Sequence, residues 1–426
     1  MAVERPETTK IAPGTYLMLF ASAGVSVKAE RIREKSDDIF AFLTFKLLPS
    51  EHLKSTKLNL GASTSQSSLA KVLEQRAPAI DWFAVVENTC RAIEEIFRTG
   101  EPLVTLRDIP FNEEVQWLLK PLIVKGEANV IYGPGDSGKS LIGVLAALLV
   151  EHAPQRYDIP PLEASSGRVA ILDWETNEAT MASRLVRMAR GMGIDPPATG
   201  YAYMSRSMWS DQERVAHLVF KNELDLVIID SMGPAIDDDA NAAGPVNQLF
   251  NALREMQVTS LLIDHVSKDS GKQYGSIYKY NRSRNTWRAR ASEESRVEGI
   301  VTTALYHEKF NDGQRASTPL GLSFAFDGGS IIPQAFDATS DPEFSPHIKA
   351  RVRLRELIKS QGAMSSKDMA DKLDMKLDTV RKTLQRNAQF VDIGQDTWGI
   401  RADKEAEAML EEMALADSSP NDDLLF

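Results

Sequence analysis

The sequence predicts an α/β protein built around a largely parallel sheet, and three observations carry that prediction. Four apolar runs, GEANVIYG, RVAILDWE, LDLVIID and TSLLIDH, read as buried strands that end in polar residues. Stretches of helical length separate them, and the first, SLIGVLAALLVEHA, is apolar nearly all round. Between the first run and that helix lies GPGDSGKS, a glycine-rich loop that joins a strand to a helix N-terminus. Continuous apolar strands alternating with helices form a parallel sheet covered on both faces, with functional groups at the strands' C-terminal ends.

At 426 residues the chain is too long for one ordinary domain. Residues 1–110 read as a small N-terminal α/β accessory region. Within it, residues 1–14 look like a loose arm. VSVKAERI and IFAFLTFKLL pair across the turn-rich REKSDD. GASTSQSS (61–68) is a polar stretch, and residues 81–100 form a helix stopped by Gly100. The sheet-building core spans 111–335. Residues 346–401 hold three helical stretches and two short β pieces, QFVDIG and DTWGIR, the layout of a winged helix-turn-helix. Residues 402–426 form an acidic, flexible tail.

Composition narrows the function classes. Hydrophobic residues make up 43% of the chain, enough for a real core rather than a disordered one. Cys90 is the single cysteine, which excludes a disulfide framework or a cysteine-built metal site and fits a reducing, cytoplasmic compartment. The N-terminus lacks the pattern of a signal peptide, and the longest apolar run, 141–150, is far short of the ~20 residues of a membrane span. A soluble, cytoplasmic protein with no membrane partner is expected. The net charge of −11 rules out a uniformly basic surface, yet residues 268–290 hold seven basic residues against one acid. Such a strip can meet phosphates even on an acidic chain.

The residues able to do chemistry cluster at the predicted strand ends. Gly133, Pro134, Gly135, Asp136, Ser137, Gly138, Lys139 and Ser140 form the phosphate loop, whose backbone N–H groups and helix dipole suit a bound anion. ATP is the expected ligand: Lys139 reaches its β- and γ-phosphates, while Ser140 and the strand-end Asp230 hold Mg²⁺. Glu175 ends another strand and suits a general base for the attacking water; Asp173, deeper in the strand, suits it less. His265 can donate an imidazole N–H to the γ-phosphate and sense its loss, or be a satisfied structural histidine. The neighbouring Asp264 reads as structural. Lys268, Lys272, Lys279, Arg282 and Arg284 stand among Tyr274, Tyr278 and Tyr280, a mixture that suits single-stranded nucleic acid. Some of those arginines can equally meet a neighbouring subunit, and Trp287 reads as core. Lys309 and Arg315 lie in a loop between two strands, as cations donated across an interface or as solvated hairpin charges.

Five elements then occur in a telling order: the phosphate loop, DWE, VIIDS, IDHVSK, and GSIYKYNRSR with the later Lys309–Asn311 segment. Over about 110–330 the sequence resembles the RecA-like hexameric helicases, in the RepA/DnaB-type branch met among phage and mobile-element AAA family ATPases. The resemblance implies a RecA-like core and a homo-hexameric ring. It also implies ATP between neighbours and single-stranded DNA in a central channel. It assigns catalytic roles to Lys139, Glu175 and His265, with Lys309 and Arg315 acting in trans. A replicative helicase or translocase of a phage, plasmid or integrated element is the activity implied. An ATP-gated DNA-binding assembly factor, recombinase-like and without unwinding, is the alternative. A nucleotide-switched interaction protein that never touches nucleic acid is a third.

The sequence departs from the family in having no primase or zinc-binding module and an unfamiliar front region. In the C-terminal unit, the third helix offers Arg381, Lys382 and Arg386 to a DNA major groove, although such modules also bind proteins. The terminal NDDLLF resembles the acidic, Phe-ended tips of single-strand-binding proteins and of some phage replication proteins, so it is a docking signal for a replication protein, a DNA mimic for a groove of this chain, or a plain tail.

Overall fold

The computed structural model describes residues 4–401 except 13, 36, 50, 101–104, 109–113, 154–158, 237–241, 267–276, 293–298 and 340. The N-terminal unit opens with five antiparallel strands in sequential order: β1 (Glu7–Ala12), β2 (Thr15–Phe20), β3 (Val25–Lys35), β4 (Asp38–Leu47) and β5 (Glu51–Asn59). Two helices follow, α1 (Ser63–Glu74) and α2 (Trp82–Thr99). In β4 every second side chain, Ile39, Ala41, Leu43 and Phe45, is buried in a cluster shared with Leu73, Trp82, Val86 and Ile93 of the helices. Phe45 meets Trp82 edge-on at 6.2 Å between centroids. The Asp81 carboxylate caps α2 by accepting from the Ala84 N–H, and Gly100, at a positive φ of 66° that favours glycine, ends it.

One expectation for this unit needs correction, and one polar stretch gains a structure. Residues 7–12 are an edge strand paired with β2 rather than a loose arm. The polar SerThrSer start of residues 63–74 is the exposed first turn of α1, whose Leu69, Ala70 and Leu73 follow at helical spacing on the buried side. A run of small polar residues hides a helix when the apolar face begins only in its second half.

The central unit contains β6 (Trp117–Lys120), β7 (Ile123–Val124), β8 (Ala128–Gly133), α3 (Lys139–His152), β9 (Glu163–Ala164) and β10 (Val169–Asp173). It continues with α4 (Glu178–Met192), β11 (Gly200–Tyr203), α5 (Gln212–Lys221), β12 (Leu226–Asp230), α6 (Met232–Ala235), α7 (Ala243–Met256) and β13 (Thr259–His265). After α8 (Ile277–Arg282) come β14 (Asn285–Ala291), β15 (Ile300–Phe310), β16 (Leu320–Asp327) and β17 (Ser330–Phe336). Nine of these strands form one sheet in the order β11-β10-β12-β13-β8-β14-β15-β16-β17. The first six run parallel and the last three complete it as an antiparallel meander.

The apolar runs are continuous because both faces of the sheet are covered. Ile131, Ile171, Ile228 and Ile263 point into a cluster with α3 and α4, whereas Val130, Leu172, Val227, Ile229 and Leu262 point into a second with α5 and α7. Each such buried side chain contributes about 1.5–3 kcal/mol. The strand carrying Asp230 and the phosphate-loop strand β8 are separated by β13, so three strand ends converge over one end of α3.

The C-terminal unit runs α9 (Ala350–Gln361), β18 (Met364–Ser365), α10 (Ser366–Leu373), α11 (Leu377–Arg386), β19 (Phe390–Gly394) and β20 (Thr397–Ile400). Its three strands order as β18-β20-β19. Leu354, Leu357, Met369, Val380, Leu384 and Phe390 make its own small core. Residues 402–426, including the acidic tail, lie outside the described residues. Among the described residues no helix is long and apolar enough to cross a membrane.

Candidate functional site: a phosphate loop facing strand-end acids

Sterics fix the loop between β8 and α3. A Cβ on Gly133 would lie 2.7 Å from the Ala289 carbonyl oxygen, so only glycine lets β8 and β14 approach this closely at the loop's start. Gly138 caps α3 in the left-handed region at φ 75°, where a side chain would be strained and would crowd Thr303 and Val301. The Thr303 hydroxyl donates to the Ser137 carbonyl at 2.8 Å, and the Ser137 hydroxyl to the Pro134 carbonyl at 2.9 Å. The cradle is therefore held before any ligand arrives.

Lys139 is buried, with its ammonium folded back onto the Gly133 carbonyl (3.0 Å), the Pro134 carbonyl (2.5 Å) and the Ser137 hydroxyl (3.3 Å). Burial pulls its pKa down to about 8, while Asp230 and Glu175 work in the opposite direction. A phosphate entering the cradle replaces those neutral acceptors with a charged one, a stronger partner for an ammonium.

Asp230 ends β12 in register with Asp173 of β10 and Ile263 of β13. Its side chain is buried, and burial pushes its carboxyl up to about 6 against the pull of a hydrogen bond from Ser140. One of its oxygens, Oδ1, is buried with no hydrogen-bond partner. An orphaned carboxylate oxygen beside a phosphate-loop serine is the donor set that a hydrated Mg²⁺ satisfies, so the residues fit that ion.

Glu175 lies two residues beyond the end of β10 and remains partly open to solvent. It accepts hydrogen bonds from the Ser231 hydroxyl and from His265 Nε2, the latter at 3.2 Å. Those bonds, His265 first, hold its carboxyl below the usual glutamate range against the opposing effect of burial. An ionised acceptor requires that Nε2 carry the proton. Asp173, fully buried, accepts from the backbone N–H groups of Glu175 (2.8 Å) and Thr176 (2.9 Å), and from the Thr176 and Tyr201 hydroxyls. It shapes the turn that presents Glu175 and has no free face for a water.

These groups line a cleft of about 1000 Å³, a size suited to a nucleoside triphosphate. Sequence reasoning missed several of its walls. Val301, Phe326 and Ile331 supply an apolar side from strands far along the chain. Arg187 of α4 stands 5.6 Å from the Phe326 ring centroid. Arg184, also on α4, lines the cleft with a buried Nη1 that has no hydrogen-bond partner, and its charge favours the ionised form of Asp230. Ser231 was legible only as the residue after Asp230, and nothing in an amphipathic helix singles out Arg184.

The predicted nucleic-acid contacts are placed differently from one another. Lys279 is a correction: its side chain is fully buried and pairs with both oxygens of Asp264 at 3.0 and 3.1 Å, so it offers nothing to a nucleic acid. Arg282 donates to Asn247 and Asn251 of α7, and Arg284 lies 3.6 Å from Glu127. Lys268 and Lys272 fall outside the described residues. Lys309 donates to the carbonyls of Tyr280 (2.6 Å), Asn281 (3.0 Å) and Ser283 (2.7 Å), closing the C-terminal end of α8. An ammonium has three donors, so acting on a neighbour would require giving those bonds up. Arg315 is exposed, donates to the Glu308 carbonyl and lines a separate cleft with His307 and Arg351. In the C-terminal unit Arg381 is tied to Ser366 and Asp396, Lys382 pairs with Asp378 one turn away, and Arg386 is exposed. Among the described residues no cluster of three or more His, Cys, Asp or Glu is arranged to hold a metal by itself.

Residues 98–271 match the family model described as an AAA domain. A KaiC-like protein from the hyperthermophilic archaeon Pyrococcus horikoshii OT3 is similar in structure. It is 13% identical, and the match covers 51% of this chain and 93% of that one at a TM-score of 0.37, a likeness too weak to bear on function. No curated protein matches the chain.

Proposed function

We propose that this P-loop ATPase is a ring-forming motor acting on DNA, a replicative helicase or translocase, with ATP bound between neighbouring copies. One observation carries the reading. The ionised Glu175 meets His265 at the mouth of the cleft, and the residue before His265, Asp264, is locked to Lys279 of α8 by a buried ion pair. Loss of the terminal phosphate would be felt at His265, and the Asp264–Lys279 link hands that change to α8.

In this reading Glu175 accepts a proton from the attacking water, and Ser231 and His265 keep its carboxylate ionised and aimed. Lys139 exchanges its loop carbonyls for the β- and γ-phosphates and offsets charge there as the bond to the terminal phosphoryl group breaks. Ser140 and Asp230 would hold Mg²⁺, which supplies charge neutralisation to the phosphates. Arg184 meets the nucleotide from its own chain, and Arg315 is the candidate cation from a neighbour. The three helices and hairpin of residues 346–401 support a winged helix, with Lys382 and Arg386 on the exposed side of α11.

Phosphate release with and without single-stranded DNA, run beside strand displacement on a forked duplex, tests the reading. Hydrolysis stimulated by single strands together with displacement supports it. Stimulation without displacement favours an ATP-gated assembly factor, and hydrolysis indifferent to every nucleic acid refutes the DNA role. Particle symmetry with an ATP analogue tests the ring.

A further inference from the structure

The N-terminal sheet has a second face, opposite the one its helices cover, and its composition is unusual. Cross-strand register sets Phe40 opposite Asn59, Phe42 opposite Lys57, Thr44 opposite Ser55, and Lys46 opposite His52 on β5. Toward β3, Thr44 lies opposite Lys28, which in turn faces Leu17 of β2. Because side chains alternate along a strand, Phe40, Phe42, Thr44 and Lys46 share the face away from the buried Ile39, Ala41, Leu43 and Phe45. Phe40 and Phe42 are only partly buried, and Leu17 and Lys46 are exposed.

A sheet face facing water ordinarily carries polar or β-branched side chains, and Phe40 and Phe42, one pleat apart on β4, are not among the side chains of the core behind them. The charges around them are mostly positive. Lys57 holds its ammonium 4.7 Å from the Phe40 ring centroid, Lys28 lies opposite Thr44 and so diagonally from Phe42, and Lys46 lies two residues beyond Thr44 on β4. Glu30 is the acid opposite Phe42, and it is paired with Lys28. The run Phe40-Ala41-Phe42-Leu43-Thr44-Phe45 also repeats the spacing of one strand of RNA-recognition sheets: aromatic, small, aromatic, aliphatic, any residue, aromatic. In that spacing the first two rings stack on bases and the third packs in the core, as Phe45 does here. The basic residue that begins the usual motif is absent, since Asp38 and Ile39 precede Phe40, and the cations come instead from β3, β5 and the far end of β4.

We propose that this face of the N-terminal sheet binds single-stranded DNA, with two successive bases stacked on Phe40 and Phe42 and the backbone phosphates met by Lys28, Lys46 and Lys57. Stacking tolerates every base, so the face grips a strand without reading its sequence. The choice of DNA over RNA rests on the proposed motor function; the stacking face itself rests only on the sheet.

Photo-crosslinking tests it on the full chain carrying Lys139→Ala, so that the outcome does not depend on hydrolysis. A deoxyuridine oligonucleotide bearing 5-iodouracil is irradiated with the protein, and the adducts are mapped by mass spectrometry. Adducts on Phe40 or Phe42 are expected. Phe40→Ala/Phe42→Ala should weaken binding of the same oligonucleotide on the order of tenfold or more. Phe40→Tyr/Phe42→Tyr, which keeps the rings, should bind as the parent does. Lys46→Ala and Lys57→Ala should each lower the salt slope by about 0.7. Adducts confined to other regions, or equal affinity for the alanine pair, overturn the proposal. Adducts at these rings with an RNA oligonucleotide but none with DNA overturn the assigned occupant. Hydrolysis by the wild-type chain that is indifferent to DNA, with the adducts intact, refutes the motor reading alone.

Discussion

Replacing Lys279 by methionine separates a structural cation from a nucleic-acid contact. The ammonium and the Asp264 carboxylate are fully buried, 3.0 and 3.1 Å apart at their two contacts, so solvent does not screen them. Removing the cation alone takes from the buried Asp264 side chain the ammonium that pairs with both its oxygens, and breaking such a buried pair costs about 3–5 kcal/mol. For a domain of this size each kcal/mol moves the midpoint by about 2–4 °C, so the core transition should fall by about 6–20 °C. The double variant Asp264→Leu/Lys279→Met removes both charges and should recover most of that loss, because a buried pair and an apolar pair of similar volume are of similar stability. Scanning calorimetry of the nucleotide-free chain reads both numbers, and DNA affinity is measured on the same samples. If Lys279→Met melts with the wild type and weakens DNA binding in a salt-dependent way, the ammonium faces nucleic acid and the structural reasoning is refuted.

Three further outcomes follow from the cleft. Glu175→Gln should lower turnover by about 10²–10⁴-fold while leaving binding of a fluorescent ATP analogue in place; unchanged turnover would remove Glu175 as the base. Asp230, raised by burial from 3.8 to about 6, binds its proton more tightly folded than unfolded. Its contribution to stability is therefore full below about 4 and lost as pH rises through about 6. Asp230→Asn should accordingly raise the melting temperature of the metal-free, nucleotide-free protein more at pH 8 than at pH 5, and equal shifts at both would contradict the assignment. If Arg315 acts on a neighbour's nucleotide, mixing Arg315→Ala with Glu175→Gln chains should restore part of the hydrolysis that each lacks, and no recovery at any ratio counts against that role.

The parts of the site that lie close together in the chain were legible. Gly133 through Ser140 form one continuous stretch whose backbone does the work, and Asp230, Glu175 and His265 are marked by the apolar runs that end beside them. Long-range packing was not legible. Lys279 reads like any other cation in a basic strip, because its partner lies fifteen positions earlier on the tip of another strand. Lys309 reads as a hairpin charge until α8 turns its C-terminal carbonyls toward it. The apolar wall of Val301, Phe326 and Ile331 comes from the antiparallel strands β15, β16 and β17, and only the sheet order brings it over α3 and α4. The N-terminal strands showed as alternation, but which face of β4 the helices would cover depended on α1, whose polar opening concealed it.

The central claim is that the loop around Lys139 grips a nucleoside triphosphate while Asp230 and Glu175 serve the metal and the water. Equilibrium binding of an ATP analogue, paired with phosphate release in the presence of Mg²⁺, tests it on the wild-type and Lys139→Ala chains. The wild type should bind and hydrolyse, and Lys139→Ala should lose turnover. A wild-type chain that neither binds nor cleaves any purine triphosphate, or a Lys139→Ala chain that turns over like the wild type, contradicts the account.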